Sequence, residues 1–490
     1  MRILAFLLIA LYTISCNSKK TGEELAKENC SSCHKFPDPS LLDKKTWNDH
    51  VLVEMSYRLG IRNKFELLTT MPEEQFQSAV ALNIYPDSPK MSLEEWQAIV
   101  DYYVTNAPEK SLAQKKKTAI SDESLHFNLA TFSQKNSFSG GVTSVKIHPE
   151  KSEIWVGFNS NKTLVLGTDL KVKSTLLNQS PTVKSLLVDD KMYLVNIGKM
   201  YPNDQKLGSI SQVKSGKLTG KLIDSLKRPV DMQVADFNGD GENDFLVCEY
   251  GYEAGQLVWV DGRTKERHTL KSQAGARNVI IKDYTADGKP DLLVLMAQAR
   301  EGVSLFINKG MGIFVEKPIL QFDAVWGSSY MEVADMNKDG ADDIIISNGD
   351  NADYSITKKA YHGVHVFLND KKNNFKEAYF YPLYGATKTL ARDFDQDGDL
   401  DLACIAFFTE NEKGKNESFV YFQNQGNLTF KPSNLSNPAD AQYMTLDAGD
   451  YDRDGDIDIV VGNYQFGKPK PGIKLTPGLQ VRVFKNLIKN

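Results

Sequence analysis

One short acidic pattern recurs five times along the chain and constrains its fold more than any other feature. It reads DFNGDGENDFLV from Asp236, DYTADGKPDLLV from Asp283, DMNKDGADDIII from Asp335, DFDQDGDLDLAC from Asp393 and DYDRDGDIDIVV from Asp450. Successive copies start 47, 52, 58 and 57 residues apart, the period of one propeller blade per copy. Each copy offers side-chain oxygens at positions 1, 3, 5 and 9, and with the carbonyl at position 7 these can wrap a hard cation of calcium size. The glycine at position 6 permits the sharp turn. An EF-hand is the obvious rival, but it needs a bidentate Glu at position 12 and flanking helices. Position 12 is instead Val247, Val294, Ile346, Cys404 or Val461, inside β-branched runs that read as strands. Each copy is therefore expected to be a β-hairpin calcium loop. The candidate ligands are Asp236, Asn238, Asp240 and Asp244; Asp283, Thr285, Asp287 and Asp291; Asp335, Asn337, Asp339 and Asp343; Asp393, Asp395, Asp397 and Asp401; and Asp450, Asp452, Asp454 and Asp458. Thr285 departs from the Asp/Asn rule at position 3, which points to a weaker second site.

A solvated acidic turn would account for one such loop, but not for five with the same internal spacing. The pattern resembles the FG-GAP/VCBS repeat family of integrin-type propellers and bacterial surface proteins. That resemblance implies an all-β propeller in which up to five Ca2+ ions are structural, neutralising loops whose carboxylates repel one another when empty. Upstream, VTSVKIHPEKSEIWVGF and VKSLLVDDKMYLVNI keep the hairpin but replace the metal loop with short turns. Two metal-free blades and five loop-bearing blades make a seven-bladed β-propeller over 123–490. The last blade runs out after Gln480 to Asn486. The segment HFNLATF at 126–132 resembles the outer strands GNLTFKP and NNFKEAY, so it is expected to complete that blade and leave no open edge.

The N-terminal part is of another kind. Residues 23–34 read EELAKENCSSCH. C-x-x-C-H is the haem c attachment motif, with Cys30 and Cys33 adding to the vinyl groups and His34 placed as proximal iron ligand. A zinc site would need a second ligand pair, and the remaining cysteines after this pair, Cys248 and Cys404, lie more than 200 positions away. A redox dithiol should follow a βαβ pattern, whereas this segment begins as a helix. Ser92 and Glu95 form a capping box ahead of LEEWQAIVDYY, whose Trp96, Ile99, Val100 and Tyr103 mark one helical face. Residues 23–108 resemble a small, all-α monohaem cytochrome c domain. The resemblance implies one covalent haem c and a last helix packed across the CxxCH helix. The expected sixth iron ligand is Met55, from the W-x3-V-x3-M pattern of Trp47, Val51 and Met55. Met91 and Met71 are the alternatives, and His50 would give a lower-potential bis-histidine haem. The competing reading for each methionine is core packing.

The chain opens MRILAFLLIALYTISC, with Arg2 ahead of a short apolar stretch from Ile3 to Tyr12 and small Ser15 before Cys16. This is a signal peptide over 1–15, and the cysteine at its end resembles the lipobox of bacterial lipoproteins, with Thr13 where that box has Leu. The resemblance implies lipidation of Cys16, anchoring to a membrane through lipid, and export to the bacterial periplasm or cell surface. An ordinary signal peptide with an incidental cysteine is the alternative. Residues 109–122, EKSLAQKKKTAISD, read as a solvated linker.

Composition excludes some functions. With 63 acidic against 58 basic residues and a formal charge of -5, the chain lacks the basic excess of a nucleic-acid binder. No Ser-His-Asp order, HExxH or phosphate loop stands out. At the propeller end away from the acidic loops, the candidate partner face holds Arg228, Glu249, Tyr250, Arg277, Asn278, Arg300, Trp326, Tyr330, Asn348, Lys388, Phe408, Asn463 and Tyr464, decorated by insertions at 349–362 and 409–417. Cys248 and Cys404 are expected buried and unpaired. The leading expectation is an electron-transfer lipoprotein whose propeller docks a redox partner protein or quinone-linked enzyme. An oxidoreductase whose propeller binds substrate or quinone and feeds the haem is the alternative. A surface module for a glycan or protein ligand, with an accessory haem domain, is the third.

Overall fold

The computed structural model describes residues 19–134, 141–350, 357–409, 416–465, 476 and 478–489. The leader, Cys16, and the middles of the two insertions at 351–356 and 410–415 lie outside the described residues.

The N-terminal unit is helical because apolar residues recur at helical spacing behind good caps. Helix α1 (Gly22–Cys30) starts at Thr21, whose hydroxyl accepts from the Glu24 amide at 3.2 Å while the Glu24 carboxylate accepts from the Thr21 amide at 2.8 Å. Ser92 and Glu95 cap α5 (Leu93–Asn106) in the same reciprocal way. The two helices cross in backbone contact: a Cβ on Gly22 would lie 2.1 Å from the Ala98 carbonyl oxygen. Between them, α2 (Lys44–Thr46) runs through a π-helical turn at Trp47–Val51 into α3 (Leu52–Arg58), and α4 (Glu73–Ala81) follows. Trp47 is buried, donates its indole N–H to the Pro39 carbonyl at 2.8 Å and packs 4.5 Å from the Tyr103 ring. Of the four-residue stripe, Trp47 and half-buried Val51 pack in the apolar cluster with Tyr103, while half-buried Met55 lies outside it. A π turn, with more residues per turn than an α turn, separates Trp47 from Met55.

Beyond residue 126 the chain forms seven four-stranded antiparallel sheets. Blades 1 to 6 each take four consecutive strands, which we letter A to D from the axis outwards. The innermost A strands are Val142–His148, Thr182–Val188, Pro229–Ala235, Ala276–Lys282, Ser328–Ala334, Ala386–Arg392 and Tyr443–Gly449. Blade 7 gains its fourth strand from the start of the propeller, Phe127–Ser133, which pairs antiparallel with Leu479–Asn486. The B strands of the loop-bearing blades are buried at every residue, for example Asp343–Asn348. Each blade is sandwiched between two others, so both of its faces are core, which is why these strands read as unbroken Val/Ile/Leu runs and not as alternation.

The edges of the A strands turn to the central channel, and their backbone groups need partners. Polar side chains of the preceding blade supply them. Asp231 accepts from the Val279 amide at 2.9 Å, Asn278 bridges the amide and carbonyl of Met331, and Asp447 accepts from the Ile147 amide at 2.8 Å across the closure between blades 7 and 1. Every A strand also shifts register between its first and third residues, a bulge repeated around the ring.

Candidate cation loops and the docked CxxCH turn

Each acidic loop joins strand A to strand B in blades 3 to 7. Gly241, Gly288, Gly340, Gly398 and Gly455 at position 6 all have φ between +84° and +93°, the left-handed region that a Cβ penalises. Their amides donate to the position-1 carboxylate in all five loops, at 2.7 to 3.1 Å. In the first three loops the other oxygen of that carboxylate accepts the position-5 amide, whereas in the fourth and fifth loops it has no hydrogen-bond partner.

In the fourth and fifth loops this produces a preformed oxygen cage. One oxygen from each of Asp393, Asp395 and Asp397, and likewise from Asp450, Asp452 and Asp454, lies within 4.8 Å of the others. Asp393 Oδ1, Asp450 Oδ1 and Asp452 Oδ1 are buried with no hydrogen-bond partner. Buried carboxylate oxygens without partners are costly, and a hard cation with oxygen ligands at about 2.3–2.6 Å satisfies all of them together. Basic side chains partly take that place: Lys485 approaches Asp452 at 2.6 Å and Asp454 at 3.5 Å, and Arg263 pairs with Asp240 at 3.0 Å. In the second loop the Thr285 hydroxyl donates to Asp291 at 3.1 Å and so serves the loop itself.

The position-9 aspartates do a second task. Asp244, Asp291, Asp343, Asp401 and Asp458 are all fully buried at the start of strand B. Each accepts a backbone N–H from the end of strand C, from Gly262, Asn308, Asn369, Asn424 and Asn486 respectively, at 2.7 to 2.9 Å. Except in blade 6, the other oxygen accepts from the position-2 amide; Asp401 takes the Tyr421 hydroxyl instead, at 2.6 Å. Four of those partners are Asn, and their amide side chains donate to loop or neighbouring carbonyls. The latch was readable as the Asn that ends LFIN, VFLN, YFQN and VFKN, but its pairing with the aspartate is a tertiary contact. Burial drives Asp401 up to about 7 and Asp458 up to about 8. Without a cation, these groups favour the protonated form.

At the other end of the propeller, the CxxCH turn lies against the blades. Cys30 ends α1 and is half-buried, and Cys33 is exposed; neither is in a disulfide. Burial raises the Cys30 thiol, and the nearby Tyr103 hydroxyl donates to the Pro37 carbonyl at 2.9 Å. His34 Nδ1 sits 2.9 Å from the Lys35 carbonyl oxygen, which leaves Nε2 to act as a ligand; burial lowers its pKa and favours the neutral imidazole that ligation requires. Arg300 donates to the Cys33 carbonyl at 2.5 Å, Lys35 pairs with Asp323 at 3.1 Å, and Val325 packs in the apolar cluster that contains Cys30, Trp47 and Tyr103. Arg58 makes a two-pronged ion pair with buried Glu253, and Gln205 bonds to Glu74. Behind Val325, Trp326 stacks between Phe322 and Tyr361 at 5.4 and 5.3 Å, nearly parallel to both.

Six residues of the expected partner face make contacts within the chain. Arg300 holds the helical unit, while Arg228, Glu249, Asn278, Asn348 and Asn463 bond to backbone groups of their own or neighbouring blades. Of the three methionines, Met91 packs in the Cys30 cluster and Met71 in a second cluster with Tyr57 and Phe76. Met55 belongs to neither. Cys248 and Cys404 are fully buried, with thiols raised by burial. No described helix is long and apolar enough to cross a membrane.

Known proteins bear on the propeller. No curated protein matches the chain. Among solved structures, that of the Neurospora crassa Pan2 WD40 domain is similar at 11% identity and a TM-score of 0.48, covering 75% of this chain and 98% of that one. The family model of the FG-GAP-like repeat matches residues 236–294, 283–346 and 393–461, which together contain all five acidic loops. Residues 236–346 and 393–461 of this seven-bladed β-propeller, which carry the five acidic loops, are thus similar to FG-GAP-like repeats.

Proposed function

We propose that this chain is an exported, lipid-anchored c-type cytochrome that transfers electrons, with a calcium-stabilised propeller as the platform that seats its haem domain and docks a redox partner. The observation that carries the reading is the CxxCH turn: two thiols outside any disulfide, followed by an imidazole whose Nδ1 is engaged by a backbone carbonyl while Nε2 is left over. A bound haem c would supply a one-electron Fe(III)/Fe(II) couple. Cys30 and Cys33 would hold it by thioether bonds and His34 would be its proximal ligand, with the Lys35 carbonyl fixing tautomer and ring plane. Met55 suits the distal position, because its thioether is half-buried and serves neither apolar cluster; Met91 and Met71 have packing roles. Arg300 and the Lys35–Asp323 pair hold the turn against the propeller, so the haem edge and the Trp326 stack would stay in one fixed relation. The acidic loops fit Ca2+, given the orphaned oxygens of Asp393, Asp450 and Asp452.

The test is maturation of the full chain in a bacterial periplasm with the haem c attachment machinery, followed by denaturation. Haem should stay covalently bound in the wild type and be lost in Cys30→Ser and Cys33→Ser together; a wild-type chain that sheds or never takes up haem sinks the proposal. Met55→Ala should change the optical signature of axial ligation while Met71→Ala and Met91→Ala leave it intact. A second reading, a surface module binding a glycan or protein, draws on the FG-GAP-like repeats alone and survives if no haem is found.

A further inference from the structure

The innermost strands carry a ring of charges that neither the acidic loops nor the CxxCH turn uses. Three cations in it are matched: Lys146 with Asp447 at 3.1 Å, Lys184 with Asp231 at 2.5 Å, and Arg392 with Glu332 at 2.6 Å. Lys388, the third residue of the A strand in blade 6, is not. Among the described residues it has no hydrogen bond or ion pair, and its ammonium rests 4.7 Å from the centroid of the Tyr330 ring. The charges that act on it are Asp447, Lys146, Glu332 and Lys184, from blades 7, 1, 5 and 2. All four sit, like Lys388, on the innermost strands that surround the propeller axis.

We propose that the central channel binds a small monocarboxylate at Lys388, with the ammonium as counter-charge and the Tyr330 ring as one wall. Of these four cations Lys388 alone has no carboxylate against it, so a singly charged anion would match it. The chain itself answers each of the other three cations with a carboxylate. An ammonium carries three donors, and a ring face attracts it only weakly without accepting all of them. Enclosure makes that omission matter, since an uncompensated charge away from bulk water is costly. Burial lowers the Lys388 ammonium to about 8 despite Asp447 and Glu332, as an under-compensated cation should be.

The experiment uses the calcium-loaded full chain and 13C-labelled acetate at constant ionic strength, read by NMR line broadening and by the thermal unfolding midpoint. Wild type should bind one acetate saturably, with the midpoint rising as it fills. Lys388→Met should unfold at a higher midpoint than wild type without acetate, bind acetate at least tenfold more weakly, and lose the acetate dependence of its midpoint. Lys388→Arg should keep binding. Absence of saturable acetate binding in wild type overturns the proposal, and that measurement stands even if Lys388→Met does not fold. Equal acetate affinity in folded Lys388→Met overturns it too, as does chloride binding as tightly as acetate.

Discussion

Removing the cation should make propeller stability fall as pH rises. Asp401 and Asp458 are fully buried, and burial lifts their carboxyls from 3.8 to about 7 and about 8 in the cation-free fold. A carboxyl whose folded pKa exceeds its unfolded one holds a proton that the unfolded chain releases. Its contribution is fully present below about pH 4 and is lost as pH rises to the folded value. Across that window each group costs about 1.4 kcal/mol per pH unit, or about 4 kcal/mol by neutral pH for a three-unit shift. Bound calcium favours the ionised form, so the loaded chain should lose this dependence and gain most from calcium at high pH. The assay is thermal or urea unfolding at pH 5.0, 6.5 and 8.0, in excess chelator and in millimolar Ca2+. The chelated chain should be most stable at pH 5.0 and weaken toward 8.0, with the calcium-induced rise in midpoint growing over the same range. Asp458→Asn should flatten part of the chelated profile and shrink the calcium response. A chelated chain whose stability is flat or rises from pH 5.0 to 8.0, or a calcium effect that does not grow with pH, would refute the reasoning.

Two further outcomes follow from the helical unit. Gly22→Ala should destabilise it by about 1–3 kcal/mol, since the added Cβ meets the Ala98 carbonyl and forces α1 off α5; far-UV circular dichroism during unfolding should show an early helical loss absent from wild type. Arg58→Ala leaves Glu253 buried without its partner, at about 3–5 kcal/mol. Limited proteolysis should then cut the 109–122 linker faster and free the helical fragment, and Arg58→Ala with Glu253→Gln should restore part of the protection.

The legible parts of the molecule are those set by near neighbours in the chain. The D-x-[D/N/T]-x-D-G-x-x-D loops, their glycines and the strands after them depend on local sterics and short-range hydrogen bonds, so five copies at blade spacing disclosed a seven-bladed β-propeller. The capping boxes at Thr21 and Ser92 and the CxxCH turn are local in the same sense. The spacing of Trp47, Val51 and Met55 assumes an α-helical pitch, which the π turn at Trp47–Val51 changes, so Met55 falls outside the cluster that holds the other two. Asp401 and Asp458 looked like ligands alone; that they also latch loop to strand C needs a strand brought back across 28 or fewer residues. More distant still, the ion pair of Arg58 with Glu253 and the contact of Arg300 with Cys33 join segments 195 and 267 residues apart, and no periodicity encodes them. The ring of Lys146, Lys184, Lys388 and Arg392 with Asp231, Glu332 and Asp447 comes from six blades, where each charge sits in an otherwise ordinary strand. Local rules thus prescribe each blade and each turn, while closing the blades around an axis and seating the helices on them decides which charges meet, because that depends on through-space distance that chain order does not carry.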